Sequence, residues 1–195
     1  MKNYDRYQTE TPESYEKKGI MDFVRKPSDR RIIIPLISQI KGKRILDVGL
    51  GTGWYTKFLL EDNKVVGVDQ NPHLCRLPIT VHKGDATKLT ELVGGEKFDV
   101  VLSTWMTDYL NRQQLQQFFN EARKVLKNDG RLITTIISKY GFLYIAAAKM
   151  IRGIDKYNYT RKRTLDMLEK AGFTDIEIIN LRRFYIPWAY LVIAQ

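Results

Sequence analysis

The segment that most constrains the fold is DVGLGTG, residues 47–53, which lies between a short apolar run and a stretch with helical spacing. Glycines there allow a tight turn and a close approach of the backbone to a ligand, and free N–H groups at a helix start favour an anion. Asp69 ends the next apolar run, 20 residues after Gly49. A carboxylate in that place can accept two hydrogen bonds from a ribose diol. The pattern predicts a nucleoside site at the carboxyl ends of two strands.

The turn departs from the pattern of dinucleotide-binding proteins. That pattern requires a glycine at position 54, where this chain has Trp54. A bulky residue there argues against a tightly held pyrophosphate and leaves room for a ligand without phosphate.

The rest of the chain alternates short apolar runs with helical patterns, which predicts a mostly parallel sheet with right-handed crossovers. The predicted helices are 55–62, 112–126 and 160–173, and the predicted strands are 44–49, 64–69, 79–85, 98–104, 131–138, 174–184 and 187–195. The last two strands follow each other closely, which is typical of an antiparallel edge hairpin. The fold class is therefore α/β: a Rossmann-like, doubly wound, seven-stranded, mostly parallel sheet with an antiparallel C-terminal edge hairpin.

The length suits one domain over residues 1–195, with a helical N-terminal cap at 1–40 and an insertion at 139–160 near the carboxyl ends of the strands, where a substrate would bind. A hydrophobic content of 44% argues against a disordered chain. The single Cys75 forms no internal disulfide, and no Cys/His cluster has metal-ligand spacing, so we predict no metal. The N-terminus lacks the apolar run of a signal peptide and no stretch suits a spanning helix, so we expect a cytoplasmic protein.

The net charge of +10 is concentrated in the last third of the chain. Six cations there lie close together in sequence: Lys149, Arg152, Lys156, Arg161, Lys162 and Arg163. Such a cluster can attract phosphates or an anionic membrane, and it is equally typical of a solvated face.

Taken together, these motifs resemble those of the class I S-adenosylmethionine-dependent methyltransferases. The turn at 47–53 matches the first motif of that family, and Asp69 matches its ribose-binding acid. Four further segments match in order: GDAT at 84–87, FDVVLSTW at 98–105, LKNDGRLI at 126–133 and LEKAGF at 168–173. The resemblance covers about residues 40–195 and is closest to the small-molecule members of the quinone-biosynthesis type.

The resemblance implies S-adenosyl-L-methionine as cofactor, S-adenosyl-L-homocysteine as product, and a role for each matching residue. The glycines line the methionine part of the cofactor, Asp47 reaches its amino group and Asp69 binds the ribose. Gln70, Asp85 and Ala86 lie at the adenine, while Ser103 and Thr104 border the sulfonium with Trp105 nearby. Tyr15 is expected to close over the cofactor carboxylate. The cofactor-binding set is thus Asp47, Gly49, Gly51, Gly53, Asp69, Gln70, Asp85, Ala86, Ser103, Thr104 and Tyr15.

Four of these residues have a structural alternative: Asp69 as a solvated strand end, Asp85 as a helix cap, Trp105 as core, and Tyr15 as packing of a mobile lid. A general base is needed only if the acceptor must lose a proton, and the candidates are Asp108, Tyr109 and His82. Asp108 could instead cap the helix that follows, and a mid-strand His82 is typical of the core.

The methyl acceptor is expected to be a small organic molecule. The chain lacks the Pro-Pro-aromatic sequence with which nucleic-acid members of the family hold a flipped base after the fourth strand. Acceptor contacts are expected from the cap and from aromatic residues and a methionine of the insertion, namely Tyr140, Phe142, Tyr144, Met150, Tyr157 and Tyr159, which could also form core. The alternatives are an RNA or protein methyltransferase, a cofactor-binding protein without catalysis, and peripheral membrane contact through the basic helix at 141–151.

Overall fold

Seven strands form one sheet in a computed structural model that describes residues 10–13, 25–141, 146, 150, 156–183 and 185–195. The strand order is β3-β2-β1-β4-β5-β7-β6. The bounds are β1 Arg44–Val48, β2 Lys64–Asp69, β3 Thr80–Lys83, β4 Phe98–Ser103, β5 Leu126–Ile137, β6 Glu177–Arg183 and β7 Ile186–Ala194.

The pairing of the strands confirms the predicted fold class. The first five strands pair in parallel, while β7 is antiparallel to both of its neighbours, β5 and β6. The central strands are rich in Val, Ile and Leu because both faces of the sheet are covered. The carboxyl ends of β1, β2 and β4 consequently meet at one edge, here called the carboxyl edge.

Four α-helices are described: α1 Ile34–Ile37, α2 Leu89–Leu92, α3 Arg112–Val125 and α4 Arg161–Lys170. A π-helical turn, Asp29–Ile33, precedes α1. Helix α3 begins with a capping box, in which Asn111 and Gln114 exchange side-chain and backbone hydrogen bonds of 3.0 Å. Thr160 caps α4 by accepting a hydrogen bond from Arg163 N at 3.2 Å.

Two apolar cores fill the faces of the sheet. One core packs α2, α3 and α4 against one face, with Phe98, Phe118 and Phe119 at its centre. The other core is covered by the N-terminal helical turns through Ile33 and Ile37. These turns cross the face from the carboxyl edge, where Asp29 contacts the loop after β4, to the amino edge, where Ile40 O accepts from Asn63 Nδ2 at 2.7 Å.

The helix predicted at 55–62 is wrong, because the structure has only a 3₁₀ turn at Thr56–Phe58 with turns on either side. Aromatic and β-branched residues in this segment have low helix propensity. In addition, Tyr55 and Thr56 make hydrogen bonds to distant residues, Trp105 and Asp47, which fix the backbone in another conformation.

Strand β5 begins at Leu126, directly after α3, rather than at 131 as predicted. Its first residue pairs with Phe98 and the register then shifts before Val100. A Cβ at Gly130 would lie 2.9 Å from Phe98 O, so the glycine allows the two strands to approach closely here.

The division into a domain, cap and insertion stays a prediction, since residues 14–24 and most of 142–155 lie outside the described residues. Among the described residues, no helix is long and apolar enough to cross a membrane.

Candidate active site at the carboxyl edge

The loop after β1 is shaped by three glycines in the left-handed region, with φ of +74° at Gly49, +55° at Gly51 and +80° at Gly53. L-residues with a side chain rarely adopt such angles. A Cβ at Gly49 would also overlap the side chain of Met106, and one at Gly53 would overlap Leu77. The glycine pattern is therefore required by conformation and by space together.

Asp69, at the end of β2, holds the glycine turn in place. Its Oδ2 accepts a hydrogen bond of 2.9 Å from Gly51 N, and its Oδ1 accepts one of 2.7 Å from Asn71 N. Each carboxylate oxygen has a second lone pair, so the group can accept further hydrogen bonds. Burial raises the pKa of Asp69. The predicted ribose acceptor thus lies beside the turn and organises it.

Asp47 is a buried carboxyl at the start of the same loop. Its Oδ2 accepts a hydrogen bond of 2.6 Å from the Thr56 hydroxyl, while its Oδ1 is buried with no hydrogen-bond partner in the part of the chain that the structure describes. Burial raises the pKa of Asp47 to about 7. A buried acceptor without a partner costs free energy, and a cation or hydrogen-bond donor on a ligand would relieve this cost.

Gln70 and Asp85 lie together at the ends of β2 and β3. Asp85 Oδ1 accepts from Thr87 N at 2.9 Å and from Thr87 Oγ1 at 2.8 Å, so it caps the 3₁₀ turn Ala86–Lys88. Its Oδ2 accepts from Gln70 Nε2 at 3.3 Å. The capping alternative for Asp85 is therefore realised, and Oδ2 keeps a lone pair for an adenine amino group.

Ser103 ends β4 and Thr104 follows it, and both are buried at the carboxyl edge; Ser103 Oγ has no hydrogen-bond partner among the described residues. Trp105 comes next, with a φ of +56° that is rare for a bulky residue. Its backbone N–H donates to Thr135 Oγ1 at 2.6 Å. This bond fixes the turn that follows β4.

The indole of Trp105 joins three parts of the chain. Its Nε1–H is shared between Asp29 Oδ1 at 3.0 Å and the Tyr55 hydroxyl at 2.7 Å. Its ring stacks on Trp188 with centroids 4.9 Å apart and planes 5° apart. Asp29 also forms an ion pair of 3.3 Å with Arg25. Four residues of this network and its surroundings are not predicted from the sequence, because only the fold brings them to the site: Asp29, Tyr55, Thr56 and Trp188.

Asp108 forms an ion pair with Lys156, and both side chains are almost fully buried. Asp108 Oδ1 has no hydrogen-bond partner within the described ranges, and the Lys156 ammonium lies 4.1 Å from the centre of the Tyr109 ring. The alternative that Asp108 caps the next helix is wrong, because Asn111 is the cap of α3. Asp108 and Tyr109 thus belong to one charged cluster after β4, whereas His82 lies on the edge strand β3.

The predicted aromatic residues of the insertion divide into two groups. Tyr159 is core: it is buried and its hydroxyl donates to Leu110 O at 2.7 Å. Tyr140, Met150 and Tyr157 are exposed. Phe142, Tyr144 and the predicted lid residue Tyr15 lie outside the described residues.

Comparison with known proteins agrees with this geometry. Residues 46–134 match a family model described as a methyltransferase domain. The chain is 28% identical over 167 residues to a tRNA U34 carboxymethyltransferase of Aeromonas salmonicida, covering 76% of this chain and 50% of that protein. It is 26% identical over 129 residues to a demethylmenaquinone methyltransferase of Tropheryma whipplei, covering 62% of this chain and 53% of that protein. The chain therefore spans about half the length of each of these two relatives.

The fold also resembles that of a solved protein from Thermotoga maritima, described as an S-adenosylmethionine-dependent methyltransferase and possible histamine N-methyltransferase. The TM-score is 0.72 at 18% identity, and the match covers 98% of both chains. At this identity the likeness is one of fold.

The fold, the glycine turn and the acid after β2 define a protein that binds a nucleoside cofactor at the carboxyl edge of a doubly wound sheet. The match over residues 46–134 makes the class more specific. Over this stretch, a little under half of the chain, the sequence is similar to methyltransferase domains, and S-adenosylmethionine is the cofactor that this similarity implies.

The residues present fit that cofactor. The unpartnered Oδ1 of Asp47 suits the amino group of its methionine part, and the free lone pairs of Asp69 suit ribose hydroxyls. The remaining predicted contacts of the cofactor-binding set stay predictions.

Proposed function

We propose that this methyltransferase acts on a small, largely apolar or aromatic organic acceptor. The observation that carries the proposal is the enclosure of the post-β4 turn by Asp29, Tyr55 and Trp188. Ser103 and Thr104, which we expect at the reacting methyl group, are buried at the same turn. A turn covered by the chain's own N-terminal turns and by buried apolar rings suits a small flat molecule better than a polymer.

The catalytic work left to the protein is alignment and exclusion of water. S-adenosylmethionine carries its methyl group on a sulfonium, which is already activated for in-line displacement. Buried residues around the post-β4 turn exclude water, and the hydrogen bond from Trp105 N to Thr135 Oγ1 keeps this turn rigid. We assign no general base, because the carboxylate of Asp108 forms a buried ion pair with Lys156.

The cofactor site is tested by calorimetric titration of S-adenosylmethionine and S-adenosylhomocysteine, with NAD as a control. We expect Kd in the micromolar range, about −8 kcal/mol, and no binding of NAD. Asp69→Ala should weaken binding, because it removes both the ribose acceptor and the bond to Gly51 N. Asp62→Ala is the matched control, since Asp62 is exposed at the opposite edge and pairs with Lys41 at 3.1 Å. Equal affinities of wild type and Asp69→Ala would remove the ribose assignment.

The acceptor is tested by incubating the enzyme with labelled S-adenosylmethionine and either a fractionated extract of small molecules and lipids or total tRNA. Label in the organic fraction supports the proposal. Label in tRNA favours a second candidate, an RNA methyltransferase. The net charge of +10 and the similarity to a tRNA U34 carboxymethyltransferase support this candidate. Cofactor binding with label in no fraction would point to a binding protein without catalysis.

A further inference from the structure

The hairpin between β6 and β7 has an exposed hydrophobic tip. Arg183 pairs with Ile186 at the end of the hairpin. Tyr185 is 93% exposed and Ile186 is 52% exposed, although both are large apolar side chains. Tyr185 also has a φ of +67°, a conformation for which tight turns favour Gly or Asn. Folding alone does not explain a tyrosine here, and local conflicts of this kind mark functional positions.

This tip projects beyond the carboxyl edge. Ser138, directly after β5, donates its N–H to Trp188 O at 3.0 Å. Tyr185 is three residues before Trp188 in the chain, which in an extended strand corresponds to roughly 10 Å. The tip therefore lies outside the sheet, on the side where the cofactor-binding loops are.

Two further exposed aromatic residues lie near the end of β5. Tyr140 is 49% exposed and follows Ser138 by two residues. Tyr157 is 38% exposed, and Tyr159 donates its N–H to Ile137 O at 2.9 Å, which ties this segment to the same strand end. We call Tyr140, Tyr157, Tyr185 and Ile186 the tip surface.

The segments that hold or adjoin the tip surface in sequence are rich in cations. Residues 138–141, 156–163, 178–183 and 185–190 contain seven Lys or Arg and no Asp or Glu. Lys156 is neutralised by Asp108, whereas Lys139, Arg161, Lys162, Arg163 and Arg182 are exposed. Exposed Tyr and Ile with surrounding cations are complementary to an anionic bilayer, where aromatic rings lie at the headgroups and cations contact phosphates. The aliphatic Ile186 at the tip favours lipid over nucleic acid, since it offers no stacking surface for a base.

We propose that the tip surface docks the carboxyl edge of the enzyme on an anionic lipid bilayer. The inference goes beyond the proposed function, because docking requires neither cofactor nor methyl transfer. If the acceptor is lipidic, docking delivers it to the edge that holds the active site.

The test is flotation of the full chain with vesicles of phosphatidylcholine containing about 30 mol% phosphatidylglycerol, compared with phosphatidylcholine alone. We expect binding to the anionic vesicles alone, weakened by salt. Tyr185→Ser with Ile186→Ser should weaken binding by about fivefold or more, because it removes the apolar contact. Arg182→Glu should weaken it by about fivefold or more, since each cation near such a surface contributes roughly that factor.

Two matched controls are available on other surfaces. Phe58→Ser removes an exposed aromatic ring in the loop after β1, and Lys170→Glu reverses an exposed charge at the far end of α4. Both should bind vesicles as the wild type does. Far-ultraviolet circular dichroism and the Kd for S-adenosylhomocysteine confirm that each variant is folded.

Three results would overturn the proposal. The first is no difference between anionic and neutral vesicles, and the second is equal binding by tip and control variants. The third is tip-dependent binding of polyuridylate, or tip-dependent dimerisation in gel filtration, without vesicle binding. If the wild-type protein does not bind S-adenosylhomocysteine, the assignment of the cofactor site is wrong instead. Failure of the docking proposal and failure of the cofactor site are therefore distinguishable.

Discussion

The buried carboxyl of Asp47 makes cofactor affinity dependent on pH. Its Oδ1 has no hydrogen-bond partner among the described residues, and burial raises its pKa to about 7. A cationic amino group of the cofactor favours the ionised carboxylate, so below pH 7 the carboxyl must release a proton before binding. With that pKa, affinity at pH 5.5 should be about 25-fold weaker than at pH 7.5, and about 0.9 proton should be released on binding at pH 6.

The same group destabilises the ligand-free protein at high pH. A carboxyl whose pKa is higher in the folded state binds more protons when folded, so the free energy of unfolding falls as pH rises. This pH dependence extends from 3.8, the ordinary pKa of an aspartate, to about 7, the pKa of Asp47 in the folded protein. Integrated over that window, the loss reaches about 4 kcal/mol. Asp47→Asn removes this loss, since the amide does not ionise.

The assay is calorimetry of S-adenosylmethionine between pH 5.5 and 7.5, in two buffers of different ionisation enthalpy. In this range most of the ligand amino group stays protonated, since α-amino groups titrate at about 7.7–8.0. Asp47→Asn should bind weakly and without pH dependence, whereas Asp62→Asn, which is exposed, should behave as wild type. A flat wild-type profile, or a slope that survives in Asp47→Asn, would refute the reasoning.

Two further predictions concern the glycine turn and the charged cluster. Gly53→Ala should abolish measurable cofactor binding and lower the free energy of unfolding by about 1–3 kcal/mol, because the new Cβ overlaps Leu77. The control is Gly42→Ala, which should leave binding intact, since Gly42 has a φ of +65° but open space around it. Cofactor titration and denaturant unfolding of both variants test this prediction. Equal losses of affinity and stability in the two variants would mean that strain at positive φ, and not the overlap with Leu77, is the whole effect. Lys156→Met should lower stability by about 3–5 kcal/mol, because it leaves Asp108 charged, buried and unpaired. Urea unfolding at pH 7.5 measures the loss, and a change below about 1 kcal/mol would mean that the pair is solvated.

The sheet could be predicted from sequence because its signals are local. Runs rich in Val, Ile and Leu bounded by Gly or Asp gave β2 and β4 to within one residue, and the short connection between β6 and β7 indicated their antiparallel pairing. The glycine turn was predictable for the same reason, since positive φ at Gly49, Gly51 and Gly53 is a property of each residue.

The remaining features depend on contacts between distant parts of the chain. Asp29 and Trp105 are 76 residues apart, and Asp108 and Lys156 are 48 apart, so no periodicity relates them. The helix predicted at 55–62 does not form, because hydrogen bonds to other parts of the chain fix this segment in another conformation. Its apolar residues have helical spacing, but several of its residues have low helix propensity. The role of Tyr15 and the identity of the acceptor stay predictions.

The sheet order has a consequence for how the chain folds during synthesis. Strand β7 lies between β5 and β6, and Leu191 on it completes the core that Ile33 and Ile37 cover. The N-terminal turns therefore emerge early, but their apolar side chains are buried only when the last described strand inserts, more than 150 residues later. Such non-local closure slows folding and leaves an aggregation-prone surface in the nascent chain. We expect this enzyme to complete its folding only after the ribosome has made β7, and to depend on chaperones until then.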